Sequence, residues 1–453
     1  MQIIKYLKPL PLGVKFFGMM VLKFGGTSVG SADRIKKVAA LISDGEAKVV
    51  VLSAMSGTTN SLVQIANYLF EKKNELAAQL IEGLRAQYYG VVEELFAKEE
   101  SKVMTKELIR SHFDFLQGFT QDSFTIHEEK AVLAQGELIS TALLHYYLKE
   151  QGLASCLLPA LQFMRIDKDL EPDHYYIKEN LNRLIEENKG EQLFITQGFI
   201  CRNVYGEIDN LKRGGSDYTA SLVGVAVKAK EVQIWTDIDG MHNNDPRVVD
   251  QTSPIKQLSF DEAAELAYFG AKILHPSSIV PAKHANIPVR LKSTLSPDSL
   301  GTLITENVEG GGVKAIAAKD GISAIKINSG RMLLAYGFLR KVFEIFELYK
   351  TPIDMITTSE VAVSVTIDDA TQLKSIQKEL MKYGAVEVDS DQTIICVVGD
   401  FIKNEKGIAA DILDKLRAIP IRMISYGGSN HNISFLISTS DKELALKSLN
   451  QLF

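Results

Sequence analysis

From residue 20 onward, short apolar runs alternate with longer stretches whose apolar residues fall three and four apart. Met20 to Phe24 is the first run, Gly25-Gly26 ends it, and the spacing from Ala32 to Ser43 predicts a helix. Lys48 to Leu52 is a β-branched run, and Ser53 to Asn60 is a polar turn that opens another helix. Residues 61–118 and 128–150 read as long helices, with further strands at Ser155 to Leu158, Leu193 to Phe199 and Val232 to Thr236. Apolar strands alternating with helices predict an α/β fold, a three-layer αβα sandwich around a mainly parallel sheet. In such sheets ligands gather at the loops that leave the carboxyl ends of the strands.

Near residue 310 the character changes. Gly310-Gly311-Gly312 follows the acidic Glu306 and Glu309 and reads as a linker. Beyond it lies an internal repeat. Ile325-Lys326-Ile327 recurs as Ile395-Cys396-Val397, Ile353 to Thr357 as Ile421 to Ser425, and Val361 to Ile367 as His431 to Ile437. Each copy reads strand, helix, strand, turn, strand, which predicts two small α/β modules side by side.

Composition narrows the function classes. The 453 residues carry 50 Lys and Arg against 56 Asp and Glu, a net charge of −6 that disfavours a dedicated nucleic-acid binder. Cys156, Cys201 and Cys396 are widely spaced and odd in number, fitting no disulfide framework or zinc pattern, so a reducing cytoplasm is the expected setting. No run approaches the roughly 18 apolar residues of a membrane span. Residues 1–19 are basic and patchily apolar; Pro9, Pro11 and Lys15 break the apolar centre that a signal peptide needs. They read as an N-terminal extension, with Met20 the expected true start.

Four loops carry candidate chemistry. In Lys23-Phe24-Gly25-Gly26-Thr27-Ser28-Val29-Gly30, a strand end enters a helix through glycines that let backbone N–H groups approach a phosphate, with the Lys23 charge above them. It matches neither common phosphate-loop fingerprint. Lys212-Arg213-Gly214-Gly215-Ser216-Asp217 precedes a second helix, in which Arg213 suits a carboxylate clamp and Asp217 is either a helix cap or an orienting acid. Trp235 to Gly240, followed by Asp245-Pro246-Arg247, places carboxylates and a cation at a strand end, which suits nucleotide and Mg²⁺ handling as well as ordinary turns. Lys272, within Phe269 to Pro276, is a further candidate phosphate partner or a plain solvated lysine. The eight histidines show no metal-ligand spacing, so no protein metal site is assigned.

Taken with Ser53 to Asn60, Gln135-Gly136-Glu137 and Gln197-Gly198-Phe199, this ordered set resembles the aspartate kinases of the amino acid kinase family, from about Met20 to the C-terminus. The resemblance implies ATP and Mg²⁺ as cofactors and phosphorylation of the β-carboxylate of L-aspartate to 4-phospho-L-aspartate, opening the route to lysine, threonine, methionine and isoleucine. It implies Lys23 and Asp217 as the catalytic pair. Ser53, Thr59, Glu137, Phe199, Arg213 and Ser216 then line the aspartate pocket; Lys23, Gly25, Gly26, Thr236, Asp237, His242, Arg247 and Lys272 attend the nucleotide. His242 departs from the family, where several members carry tyrosine. The substrate carboxylate is ionised at neutral pH, so the chemistry calls for charge neutralisation and positioning rather than a general base.

The C-terminal repeat resembles paired ACT domains, ferredoxin-like amino-acid sensors. The expected division is 1–19 extension, 20–305 kinase, 306–385 linker and first ACT domain, and 386–453 second ACT domain, completed by about 313–319. Met332, Ile353, Asp354, Thr358, Ser359 and Glu360 match lysine-binding positions of lysine-inhibited relatives, while Ala335 and Pro352 depart from serines found there. Lysine feedback and a homodimer or dimer of dimers are implied, with threonine or weak regulation as the alternatives. No length remains for an appended homoserine dehydrogenase. The rivals are another amino acid kinase, acting on acetylglutamate, glutamate or uridylate, and a silent amino-acid sensor. Intact Lys23 and Asp217 argue against the sensor.

Overall fold

A computed structural model describes residues 18–211, 214–270, 273–308, 311–329, 336–400 and 406–453. They form two compact units, one made of the described residues up to Asp237 together with Val280–Val289, the other of Ile238–Ile279 and Arg290–Phe453.

The first unit is built on β1 (Met20–Phe24), β2 (Lys48–Leu52), β3 (Cys156–Leu158), β4 (Leu193–Gln197) and β7 (Val232–Thr236), with a small antiparallel pair, β5 (Ile200–Arg202) and β6 (Ile208–Asn210), beside them. The five larger strands lie in the order β3-β4-β2-β1-β7, and every pairing is parallel. Register brings Phe24 opposite Leu52 and Trp235, and Leu52 opposite Gln197, so four carboxyl ends finish at one edge. The helices are α1 (Ala32–Ile42), α2 (Thr58–Phe70), α3 (Asn74–Leu95), α4 (Glu99–Gly118), α5 (Ile126–Glu150), α6 (His174–Glu187) and α7 (Gly215–Val227). Leu22, Phe24, Val50, Leu52 and Ile195 share a core with α1–α5. Strand side chains alternate in direction, so the equally buried Val21, Val49, Val51 and Phe194 face the other way. Helix α7 packs on β1, β2 and α6, which completes the third layer.

Periodicity placed α1 to α5 and α7 within a few residues, whereas α6 was not anticipated. Two local differences stand out. The chain after Gly25 enters a single 3₁₀ turn, Gly26–Val29, before Ser31 caps α1, and the fourth strand stops at Gln197. The 3₁₀ turn arises because Ser28 N–H bonds straight back to Gly25 C=O, and Phe199 leaves the extended region with φ 67°.

The second unit holds β8 (Gln257–Ser259), β9 (Val289–Ser293, from its second residue) and β10 (Thr302–Thr305), side by side in the order β9-β10-β8, and the helix α8 (Phe260–Phe269). Its C-terminal part is a six-stranded antiparallel sheet of β11 (Gly312–Asn328), β12 (Ile356–Thr358), β13 (Ala362–Ile367), β14 (Ala385–Asp400), β15 (Met423–Tyr426) and β16 (Asn432–Ser438), in the order β12-β13-β11-β14-β16-β15. Two separate apolar cores lie against it. One gathers Ile325, Val342, Val365 and Leu380, and the other Ile316, Ile395, Phe435 and Leu446. The repeat therefore folds as two modules, but β11 and β14 run through both: Ser323–Asn328 pairs with β13, while Val313–Lys319 pairs with Ile394–Gly399. Among the described residues no helix is long and apolar enough to cross a membrane.

Candidate active site

The loops leaving β1, β2 and β7 are stitched to one another by their own backbone. Ser53 N–H donates to Phe24 C=O at 3.1 Å, Ser56 N–H to Gly26 C=O at 3.1 Å, and Gly25 N–H to Trp235 C=O at 3.3 Å. Gly198 meets the first turn of α7 so closely that a Cβ there would stand 2.6 Å from the Ser216 Cβ and Oγ. Gly214 precedes that turn with φ 77°, in the left-handed region that glycine enters without steric cost.

At the centre, Lys23 Nζ lies 2.6 Å from Asp217 Oδ1, and both residues are 8% exposed. Asp217 is therefore no helix cap: Gly214 holds the cap position without a side-chain bond, and the Asp217 carboxylate in the first turn fixes the Lys23 ammonium. An ammonium so held, at the end of β1 and beside a glycine turn and the first turn of α7, is a fixed positive charge. That arrangement suits a polyphosphate.

Glu137 projects from α5 toward the same edge and is 4% exposed. Its Oε1 accepts the Ala54 N–H at 3.1 Å. Burial pushes its carboxyl up to about 7, against the lowering influence of the Ala54 N–H and of the Lys23 charge. Gly136 beside it would place a Cβ 2.6 Å from that of Ala54, so only glycine lets α5 come this near the loop. A buried carboxylate with few protein partners can receive a cation such as an ammonium group.

Phe199 and Ser216 lie on the facing turns, half-buried, and Ser53 is half-buried on the β2 loop. Thr59 stands exposed on the first turn of α2, whereas its neighbour Thr58 is buried and bonds the Tyr88 hydroxyl at 2.8 Å. Thr236 ends β7 and Asp237 follows it, the first half-buried and the second exposed. In the other unit His242 bridges Asp239 Oδ1 (2.8 Å, Nε2) and Thr252 Oγ1 (3.0 Å, Nδ1), and exposed Arg247 is forked onto Asp245 at 2.8 and 2.9 Å. Arg213, Lys272, Met332 and Ala335 lie outside the described residues, as do residues 1–17. Ile353 packs at the edge of the first module's core, and Thr358, Ser359 and Glu360 are exposed at the end of β12.

Sequence reasoning gave no role to the residues that hold this geometry. Ser140 Oγ donates to Ser53 C=O at 2.8 Å, and Thr141 Oγ1 donates to Glu137 C=O at 2.8 Å while accepting from Gln197 Nε2 at 2.7 Å. Thr219 Oγ1 accepts the Phe199 N–H at 3.0 Å and donates to Gly215 C=O at 2.8 Å, which ties the strained turn to α7. Polar residues on otherwise apolar helix faces are the signal that could have found them.

Comparison with known proteins settles the family. The amino acid kinase family profile matches residues 18–293, and an ACT domain profile matches residues 395–453. The lysine-sensitive aspartokinase 3 of Escherichia coli is 33% identical over 461 residues, covering 95% of this chain and 98% of that protein. The chain belongs to the aspartokinases of the amino acid kinase family. Aspartokinase 3 of Arabidopsis thaliana, a chloroplastic relative, is also 33% identical, over 96% of this chain and 81% of its own length. Among solved structures, E. coli aspartokinase III in complex with aspartate and ADP aligns with a TM-score of 0.81 at 32% identity, covering 96% of this chain and 99% of the other. The same enzyme in complex with lysine and aspartate aligns with a TM-score of 0.80 at 33% identity, with the same coverage of 96% and 99%. This aspartokinase thus carries the mixed α/β fold with a mainly parallel sheet, followed by ACT-type modules.

Proposed function

We propose that the chain transfers the γ-phosphoryl group of ATP to the β-carboxylate of L-aspartate. One observation carries the reading: the buried Lys23–Asp217 pair and the Glu137 carboxylate converge on the carboxyl edge of one parallel sheet. A β-carboxylate oxygen attacks the γ-phosphorus, and the bond from that phosphorus to the β,γ-bridging oxygen breaks, leaving 4-phospho-L-aspartate and ADP. The nucleophile is already an anion, so no proton has to be removed. The barrier is repulsion between an anionic amino acid and a polyanionic triphosphate.

Lys23 answers that repulsion, since its ammonium neutralises charge on the transferring phosphoryl oxygens and Asp217 keeps it from turning away. Glu137 takes the substrate ammonium; Arg213 takes a substrate carboxylate through its planar fork, with Ser53, Thr59, Phe199 and Ser216 completing the pocket. Gly25, Gly26, Thr236, Asp237, His242, Arg247 and Lys272 attend ATP. Mg²⁺ would be carried by the triphosphate and offset its charge there, while Asp217 stays engaged by Lys23. Three free cysteines suit a cytoplasmic setting.

The ACT-type modules are read as a lysine sensor built around Asp354, Ile353, Met332, Thr358, Ser359 and Glu360, in a homodimer or dimer of dimers. The lysine-sensitive relative supports this. The product would feed lysine, threonine and methionine synthesis. The test is ADP release by purified protein with Mg-ATP, with and without L-aspartate, in the wild type and Lys23→Ala. Turnover should need L-aspartate and fall by roughly 10³-fold in the variant. No turnover, or a preference for N-acetylglutamate, refutes the reading.

A further inference from the structure

The carboxylate assigned to the effector is already occupied from within the chain. Asp354 lies just before β12, and its side chain is only 1% exposed. Its Oδ1 accepts the Tyr268 hydroxyl at 2.6 Å and meets Lys319 Nζ at 2.8 Å. Lys319 stands on β11 and is shared: its Nζ also lies 2.8 Å from Asp368 Oδ2, and it sits 4.4 Å from the centre of the Tyr268 ring. Burial alone would lower the Lys319 pKa, but its bonds to Asp354 and Asp368 outweigh that and hold it above the ordinary lysine value. Lys319 is therefore charged throughout the physiological range.

Both donors crowd Oδ1, while Oδ2 is buried without a partner. At 1% side-chain exposure, an ammonium-bearing ligand entering from the cavity lined by Tyr268 and Asp354 gains the carboxylate by taking the place of one donor. Lys319 has somewhere to go. Asp368 is 37% exposed and already holds the same ammonium, so Lys319 can swing fully onto it without being stranded as a buried charge. Tyr268 has no second carboxylate among its bonds here.

We propose that Lys319 is an internal stand-in for the effector's ammonium, and that a cationic amino acid binds at Asp354 by displacing Lys319 onto Asp368. The inference rests on the lysine-sensor reading above and deepens it. It makes effector affinity a difference between two ammonium groups competing for one carboxylate, so Lys319 sets the sensitivity of the sensor. Tyr268, near the end of α8, links the same carboxylate to a segment matched by the kinase profile.

The experiment is titration calorimetry of L-lysine into the full chain as wild type, Lys319→Met, Lys319→Arg and Asp368→Asn. Removing the competitor should tighten lysine binding by about tenfold, which is about 1.4 kcal/mol. Asp368→Asn removes the alternative seat and should weaken binding by a comparable factor, whereas Lys319→Arg should stay near the wild type. Opposite signs in the two variants are not expected of general destabilisation, and Asp368→Asn alters only a partly exposed group, so it serves even where Lys319→Met folds poorly. Lysine binding that is unchanged or weaker in Lys319→Met, or unchanged in Asp368→Asn, overturns the exchange while leaving the lysine sensor standing. Absence of binding heat in all four proteins overturns both.

Discussion

Glu137→Gln should make the protein more stable and less active, with both effects governed by pH. The Glu137 carboxyl is 4% exposed, and its pKa is raised from 4.5 to about 7 by burial. A shift of that size corresponds to about 3 kcal/mol between the two protonation states, at 1.36 kcal/mol per unit. Because the folded state holds this proton more tightly than the unfolded chain, the linkage runs against stability as pH rises. Below pH 4.5 the group is protonated in both states and nothing is lost; between 4.5 and 7 the folded state is progressively penalised, and above 7 the full penalty is present. Glutamine keeps an oxygen to accept the Ala54 N–H and removes the titration. The variant should therefore match the wild type near pH 4.5 and exceed it by roughly 2–3 kcal/mol at pH 8, read as a melting temperature several degrees higher. Activity should move the other way. With Glu137 proposed to receive the substrate ammonium, losing its charge should raise the KM for aspartate about 10- to 100-fold at pH 8, the scale of a charge-assisted hydrogen bond. In the wild type that KM should climb as pH falls below 7, and in the variant it should not. Thermal unfolding of substrate-free protein from pH 5 to 8.5, beside aspartate saturation curves, tests both halves. A variant less stable than the wild type at pH 8, or a difference that does not change with pH, refutes the reasoning.

Three further outcomes follow from the site geometry. Asp217→Asn should lower kcat by roughly 10- to 100-fold while the KM for aspartate changes little, because it frees the Lys23 ammonium without removing it; steady-state kinetics separate the two constants. Thr219→Val should raise the KM for aspartate through the released Phe199 turn, and Thr219→Ser should restore it, since the hydroxyl rather than the methyl makes both bonds. Gly198→Ala would set a Cβ 2.9 Å from the Ser216 Cα, a backbone atom that cannot turn aside, so kcat/KM should drop by about 100-fold as the first turn of α7 is pushed away.

Much of this was legible in the residues because hydrophobic spacing is local. The helices from Ala32 to Glu150 followed from it, as did the strands at Met20, Lys48 and Val232, while the two C-terminal modules followed from the internal repeat. What joins Lys23 to Asp217 is not local. They are 194 positions apart (217 − 23), and only the strand order that sets β1 beside β2 and β7, with α7 packed above, brings their side chains together. Glu137 shows the same limit. As a glutamate on a helix it looks like a solvated charge, and its burial comes from Gly136 letting α5 settle against Ala54. Thr219, Ser140 and Lys319 act through hydrogen bonds and ion pairs to distant partners, and spacing along the chain does not reveal those.

The two long strands shared by the C-terminal modules have a practical consequence. Ser323–Asn328 and Val313–Lys319 are halves of one continuous strand, and β14 spans the same two modules beside it. Neither sensor can be cut out or exchanged without tearing a strand from the other. Pairing Gly312 with Asp400 also closes a loop of 88 positions (400 − 312), so the sheet's central ladder cannot be completed until residue 400 has been synthesised. Grafting a new effector preference onto this enzyme therefore means transplanting residues 312–453 as one block, and chimaeras joined between the modules should emerge insoluble.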